Sequence, residues 1–402
     1  MVAMEVGFAE ALFVVGLLIA IAAALSGLMR GTVLSISILA VGAGIGLALT
    51  ELITVDPGEA GLVELIELAL ILTLFADGLV VERELLRLHW SAPARAIAIA
   101  MPLTLVLLAL AAKALFPEFG WTEAFLLAAV LSPTDPVVTS AIVTATRVPE
   151  RVRHTLNLES GLNDGLALPF VLFFLTLAQP GGDAGGEAVT LLGEAAAGVV
   201  LGAGLGYLAG RLLPRLPSGG ITHRYEGLFA LGVGLIAFGV AELTFANGFI
   251  AVFCCGIALA SAEHEIPEAF AGFSESLGAI FQVLTFFAFG ALIVATGFTG
   301  SVPALAAFIV FVIVVARPAA ILTAFVGSRW PRDQRLFVAW FGPKGVASIL
   351  FALFVLNSQA PDRSLSFDVA AFVILTSIIA HGLTDTVGAR WIERRITENP
   401  RL

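Results

Sequence analysis

The chain has 402 residues, 59% of them hydrophobic and only 13% charged, and its mean hydropathy is +1.00. Soluble domains run at about 45–50% apolar and about 25% charged, so this composition excludes a soluble globular protein and points to a polytopic membrane protein. The net charge of −10 averages two membrane faces, and the paired Cys254 and Cys255 inside an apolar run exclude a disulfide framework or a cysteine metal site.

Apolar runs long enough to cross a ~30 Å hydrocarbon core fall near residues 6–28, 32–54, 60–81, 94–116, 121–146, 154–177, 187–213, 225–244, 246–261, 270–298, 301–327, 335–357 and 366–388. The expected fold class is therefore all-α, with thirteen transmembrane helices. Glu5 and the lack of a basic cluster before the first run speak for a true span rather than a cleaved leader. The ninth run is short, and its boundary with the eighth lies at Ala246-Asn247-Gly248. Gln179-Pro180-Gly181-Gly182 with Gly185-Gly186 reads as a flexible loop, and no separate soluble domain is expected.

Charge asymmetry sets the orientation. With the N-terminus outside, seventeen of the 21 basic residues fall on the inner face. Only Lys113 and Arg363 fall outside, and Arg317 and Lys344 lie within spans. That bias follows the positive-inside rule and places the C-terminus in the cytoplasm, as in a plasma (inner) membrane. One inner loop runs against it with Glu263, His264, Glu265 and Glu268; it reads either as a solvated acidic loop or as a cation or pH sensor.

Thirteen divides as six, one and six. Helices seven apart run in opposite directions because seven is odd, so the chain reads as two inverted six-helix repeats joined by helix 7, an arrangement typical of transporters. Helices 5 and 12 carry matched breakers: Ser132-Pro133-Thr134-Asp135-Pro136 and Phe341-Gly342-Pro343-Lys344-Gly345. Proline removes a backbone donor and clashes with the preceding turn, and in lipid the freed groups must face a cavity or one another. Asp135 and Lys344 then compensate opposite half-helix ends where the breaks cross. The competing reading for Lys344 is snorkelling to an interface, which its central depth disfavours.

The sixth run opens with Asn157-Leu158-Glu159-Ser160-Gly161-Leu162-Asn163-Asp164-Gly165. A helix starting near His154 puts Asp164 roughly 15 Å along its axis, deep in the bilayer, where a carboxylate marks a functional site. Ser160 and Asp164 are four apart and share a face that can look toward Thr134 and Asp135. Arg317, followed by Pro318, cannot lose its proton and needs an anion; Glu159 is the candidate. Asp164 is then left unpaired, and low dielectric favours its neutralised forms, with a proton or with a cation. An all-oxygen set from Asp164, Ser160 and Thr134 suits a hard ion, and one carboxylate suits a monovalent one. Competition at a single titrating group gives electroneutral one-for-one exchange. Asp77, near the inner end of helix 3, either extends or gates the cation path or caps the helix. Glu64 and Glu67 read as interface residues at the outer end of that helix.

With these residues in view, the chain resembles the monovalent cation/proton antiporters, and among them the electroneutral sodium/proton exchanger branch. The resemblance rests on Thr134-Asp135-Pro136, Glu159 to Gly165, Arg317-Pro318 and Gly342-Pro343-Lys344-Gly345, spread over helices 5, 6, 11 and 12. It implies that Asp164 carries cation and proton, that Asn163 supports it, that Ser160 and Thr134 add ligands, and that Glu159 pairs with Arg317. It also implies a homodimer in the lipid bilayer. Dimerisation parts would lie at about 1–90 and 225–298, a mobile core at about 94–177 and 301–388, and a linker helix at about 187–213, the core moving like an elevator. Lys344 departs from the family, where many members carry arginine. No long cytoplasmic tail follows, so tail-based regulation is not expected.

Neither a cofactor nor a nucleic-acid or soluble partner is expected; sodium, lithium or potassium and the proton are cargo. Rival readings are a potassium/proton efflux antiporter with a separate regulatory subunit and a cation channel. An intramembrane hydrolase is disfavoured because His89, His154, His223, His264 and His381 read mostly as loop or span-end residues, so the protein is not expected to be an enzyme.

Overall fold

The structure, a computed structural model, describes residues 8–29, 35–80, 91–135, 148–180, 184–212, 223–262 and 266–398. All regular structure among them is helical. Among the described residues the fourteen helices are α1 (Phe8–Met29), α2 (Ile36–Leu49), α3 (Ala60–Val80), α4 (Ser91–Leu115), α5 (Trp121–Val130), α6 (Glu150–Ala178), α7 (Ala184–Leu212), α8 (His223–Glu242), α9 (Gly248–Ala262), α10 (Ile266–Thr296), α11 (Val302–Ala324), α12 (Arg332–Trp340), α13 (Val346–Leu356) and α14 (Arg363–Glu398). The count exceeds thirteen because the twelfth expected run is two helices, α12 and α13, separated by the non-helical residues 341–345. The chain also leaves the helix after Val130, where Leu131 to Asp135 are non-helical. Pro136 and the rest of the expected fifth run lie outside the described residues, as do Glu263, His264 and Glu265.

Local sequence explains the interruptions and the ends. α4 and α11 each contain a π turn, Ala96–Ala100 and Phe311–Ala316. Each is followed within two residues by proline, Pro102 or Pro318, whose missing N–H and ring force the preceding turn to widen. The expected boundary between α8 and α9 is a real turn, capped by Asn247 Oδ1, which accepts the Ile250 amide at 3.0 Å.

Small residues set the helix contacts. Gly198, Gly202, Gly206 and Gly210 recur every fourth residue along α7. A Cβ at Gly198, Gly202 or Gly206 would strike the carbonyl of Asn247, Ala251 or Cys255, so these two backbones touch. Gly44 with Gly290 brings α2 onto α10, and Gly78 with Gly256 brings α3 onto α9. In lipid, where apolar burial drives little helix association, such close approach supplies van der Waals contact that bulky side chains would prevent.

Two groups of helices follow from the packing. α2, α3, α7, α8, α9 and α10 pack mainly with one another, with α1 against α2 and α10. α4, α5, α6 and α11 to α14 make the second group. α3 and α9 meet α6 and α3 meets α13 where the groups join, and the interrupted segments lie in the second group behind that seam.

Candidate functional site

The non-helical ends of α5 and α13 meet head to head. The end of α5 exposes carbonyls and the start of α13 exposes amides, which no water can satisfy inside a bilayer. Lys344 Nζ donates to the carbonyls of Pro133 at 3.0 Å and Ser132 at 3.4 Å. Asp135 Oδ2 accepts the Val346 amide at 3.2 Å, and the Asp135 amide donates to the Pro343 carbonyl at 2.8 Å. A cation thus closes a helix C-terminus and a carboxylate a helix N-terminus, each favourable to the local dipole. Lys344 is buried at 3% exposure and does not snorkel. Gly345 is required here, since a Cβ would overlap the Asp135 carboxylate.

α6 starts at Glu150, one turn earlier than the sequence suggested, and its midpoint is Asp164. Asn163 grips the open chain with both ends of its amide. Its Oδ1 accepts the Thr134 amide at 3.2 Å, and its Nδ2 donates to Thr134 Oγ1 at 2.8 Å. Ser160 Oγ lies 3.2 Å from the same hydroxyl. The face that holds Thr134 is therefore Ser160 with Asn163, not Ser160 with Asp164. Asp164 is 3% exposed, and its buried Oδ1 has no hydrogen-bond partner. The charged groups near enough to act on it are Asp135, Asp77 and Lys344.

Glu159 points elsewhere. Arg317 Nη1 donates to Glu159 Oε1 at 2.6 Å and Nη2 to Oε2 at 3.2 Å, a two-pronged buried pair. Nη2 also reaches the Phe341 carbonyl at 3.0 Å, tying α6 and α11 to the residue that follows α12. Gly342 leaves room for the guanidinium, which a Cβ would overlap.

Asp77 of α3 lies against Gly161, whose missing side chain makes room for it: a Cβ there would stand 2.9 Å from Asp77 Cβ. Its Oδ2 is buried and has no hydrogen-bond partner. A second carboxylate thus reaches the Asp164 region from the other helix group. Toward the start of α3 and the end of α6, an open cavity of about 660 Å³ is lined by Glu64, Leu172, Leu175, Phe354 and Asn357 among others. Leu172 is eight residues, or roughly 12 Å, along α6 from Asp164.

Buried acid and hydroxyl oxygens beside one fixed amide make a set able to hold a small hard cation or a proton; among the described residues no cluster of histidine, cysteine and carboxylates has metal-binding geometry. Sequence reasoning missed two features. Asn163 is the main fastener of Thr134; its paired donor and acceptor, three residues from Ser160, were the available signal. His381 is not a span-end residue: it is 2% exposed, within α14, beside the break. Its place late in an apolar run gave no hint of this, because only tertiary packing sets its depth.

Comparisons with known proteins bear on this arrangement. The family model for the transmembrane region of sodium/hydrogen exchangers matches residues 13–388. A K(+)/H(+) antiporter NhaP of Alkalimonas amylolytica is 27% identical over 332 residues, 82% of this chain and 57% of that protein. A Na(+)/H(+) antiporter of Schizosaccharomyces pombe is 28% identical over 342 residues, 72% of this chain and 70% of that protein. The chain spans about half the length of the bacterial curated relatives it matches. In fold it is similar to the sodium proton antiporter MjNhaP1 from Methanocaldococcus jannaschii, with a TM-score of 0.78 and 18% identity over 95% of this chain and 98% of that one.

Proposed function

The chain belongs to the sodium/hydrogen exchanger family, and from that premise we propose that it is a secondary antiporter exchanging a monovalent cation, sodium first, for a proton. The observation that carries this reading is Asp164, buried at the midpoint of α6 with a carboxylate oxygen left unbonded. Asp164 carries either cargo in turn. Ser160 and Thr134 add oxygens, Asn163 fixes Thr134, and Asp135 with Lys344 keeps the two chain ends together. The Glu159–Arg317 pair is structural. Asp77 stands on the cation path.

Competition for one carboxylate yields exchange only if the site opens to each side alternately. The helix grouping supports a moving core of α4 to α6 and α11 to α14 against a fixed part of α1 to α3 and α8 to α10. The fixed part dimerises, and the glycine ladder ties the linker α7 to it. The cavity beside Glu64 is the outer route, with the N-terminus outside and the C-terminus cytoplasmic. Exchange is electroneutral provided Asp77 keeps one protonation state through the cycle. A potassium/proton antiporter is the second reading, because the relative from Alkalimonas amylolytica carries that name.

The test uses everted vesicles carrying the protein, with proton flux followed on adding sodium, lithium or potassium. Wild type dissipates the proton gradient with at least one of them, raising the proton concentration raises the half-saturating cation concentration, and Asp164→Asn falls to the background of empty vesicles. Undiminished exchange in Asp164→Asn would falsify the site. The cation ranking separates the two readings, flux without proton countermovement marks a channel, and transport currents at fixed gradients exclude electroneutrality.

A further inference from the structure

α14 presents a stripe of three polar side chains, Ser377, His381 and Thr384, to the interruption between α12 and α13. Residues four and three apart share one helix face, so the stripe reaches both ends of the gap. On the α12 side, His381 Nε2 lies 3.0 Å from the Trp340 carbonyl, the imidazole rests beside the Trp340 indole at 5.7 Å between centroids, and Trp340 Nε1 donates to Thr384 Oγ1 at 3.0 Å. On the α13 side, Ser377 Oγ accepts the Lys344 amide at 3.0 Å. Ser377 and His381 are joined as well: His381 Nδ1 lies 2.7 Å from the Ser377 carbonyl and 3.2 Å from its hydroxyl.

The backbone groups at the interruption need partners as well as packing. The last turn of α12 ends in carbonyls with no helical partner. Arg317 takes that of Phe341, and His381 Nε2 is placed to take that of Trp340 in the tautomer that carries its proton on Nε2. The amides after the break are taken by Ser377 at Lys344 and by Asp135 at Val346. Lys344 in turn holds the carbonyls of Ser132 and Pro133, next to Thr134. A chain of hydrogen bonds therefore runs from the α14 stripe through Lys344 to the carbonyls of Ser132 and Pro133, the two residues before Thr134.

We propose that His381, flanked by Ser377 and Thr384, is a positioning residue of the ion site: its N–H grips the Trp340 carbonyl so that the stripe holds residues 341–345 in the one shape that sets Lys344 against the carbonyls of Ser132 and Pro133. The inference deepens the proposed function and rests on its reading of Thr134 and Asp164 as the ion site. A histidine serving only to fill space would be replaceable by any apolar side chain of similar size.

The experiment compares His381→Leu, His381→Gln and Ser377→Ala with wild type in vesicles matched for protein amount. The half-saturating cation concentration is measured with sodium and potassium in parallel, and backbone hydrogen exchange is measured over 336–346. His381→Leu and Ser377→Ala raise the half-saturating concentration about tenfold, the size of one lost buried hydrogen bond, and speed exchange at 341–345. His381→Gln, whose amide still donates to the Trp340 carbonyl, stays within about twofold of wild type on both measures. A His381→Leu protein with wild-type affinity and exchange overturns the proposal, and so does a His381→Gln protein as impaired as His381→Leu. Unaltered transport by Asp164→Asn would instead defeat the ion-site reading, and the hydrogen-exchange comparison would still judge the clamp.

Discussion

Asn163 commits its amide to Thr134, whereas its neighbour Asp164 keeps an oxygen unbonded. One helical step thus separates a fastener from a carrier. One turn before Asn163, Glu159 is the opposite case, locked by two hydrogen bonds to Arg317. Such a pair costs desolvation when it forms, but removing one partner strands a buried charge. Glu159→Ala and Arg317→Ala are each expected to destabilise the protein by about 3–5 kcal/mol. Replacing both by apolar residues of similar volume, Glu159→Leu with Arg317→Met, is expected to cost less than either single change. Thermal unfolding in detergent, followed for all three variants, decides this; additive losses would mean that the two side chains do not act as a pair.

Among the elements, the crossing of the two interruptions depends on small residues as much as on charge. Gly345 lets the Asp135 carboxylate sit on the Val346 amide, and Gly342 makes room for the Arg317 guanidinium at the Phe341 carbonyl. Gly345→Ala is expected to push Asp135 off the Val346 amide. The cost is a buried unsatisfied amide, about 1–3 kcal/mol, with exchange reduced at least as strongly as stability. Stability measured by melting and exchange measured in vesicles should fall together; a Gly345→Ala protein that is intact in both shows that the contact does not matter. The same logic explains α7. The four-residue spacing of its glycines went unread in the sequence, and spacing would not have named the helix it faces, because it describes one surface and is silent about the partner.

At the scale of the whole molecule, the seam between the two helix groups decides whether the core moves. At one end of that seam Asn357 Nδ2 donates to the Pro57 carbonyl at 3.0 Å, bridging the loop before α3 and the loop after α13. The double variant Pro57→Cys with Asn357→Cys, in a background with Cys254 and Cys255 replaced, is expected to join through a short thiol crosslinker. If the core slides past the fixed part, the crosslink stops exchange and reductive cleavage of the linker restores it. Full activity with the link in place would remove the elevator from the proposal and leave only local gating.

Much was written in residue order. Hydropathy and arginine bias were enough for a polytopic helical membrane protein, because lipid permits few backbone solutions. Prolines beside charges marked both interruptions, and an arginine that cannot deprotonate called for a buried acid such as Glu159. The tertiary structure decided what depends on depth and on facing surfaces. It gave Thr134 to Asn163, brought Asp77 against Gly161, and buried His381 at the Trp340 carbonyl. The physical reason is that residue type states what a side chain can donate, accept or neutralise, while the choice of partner is made by helices meeting across long stretches of chain.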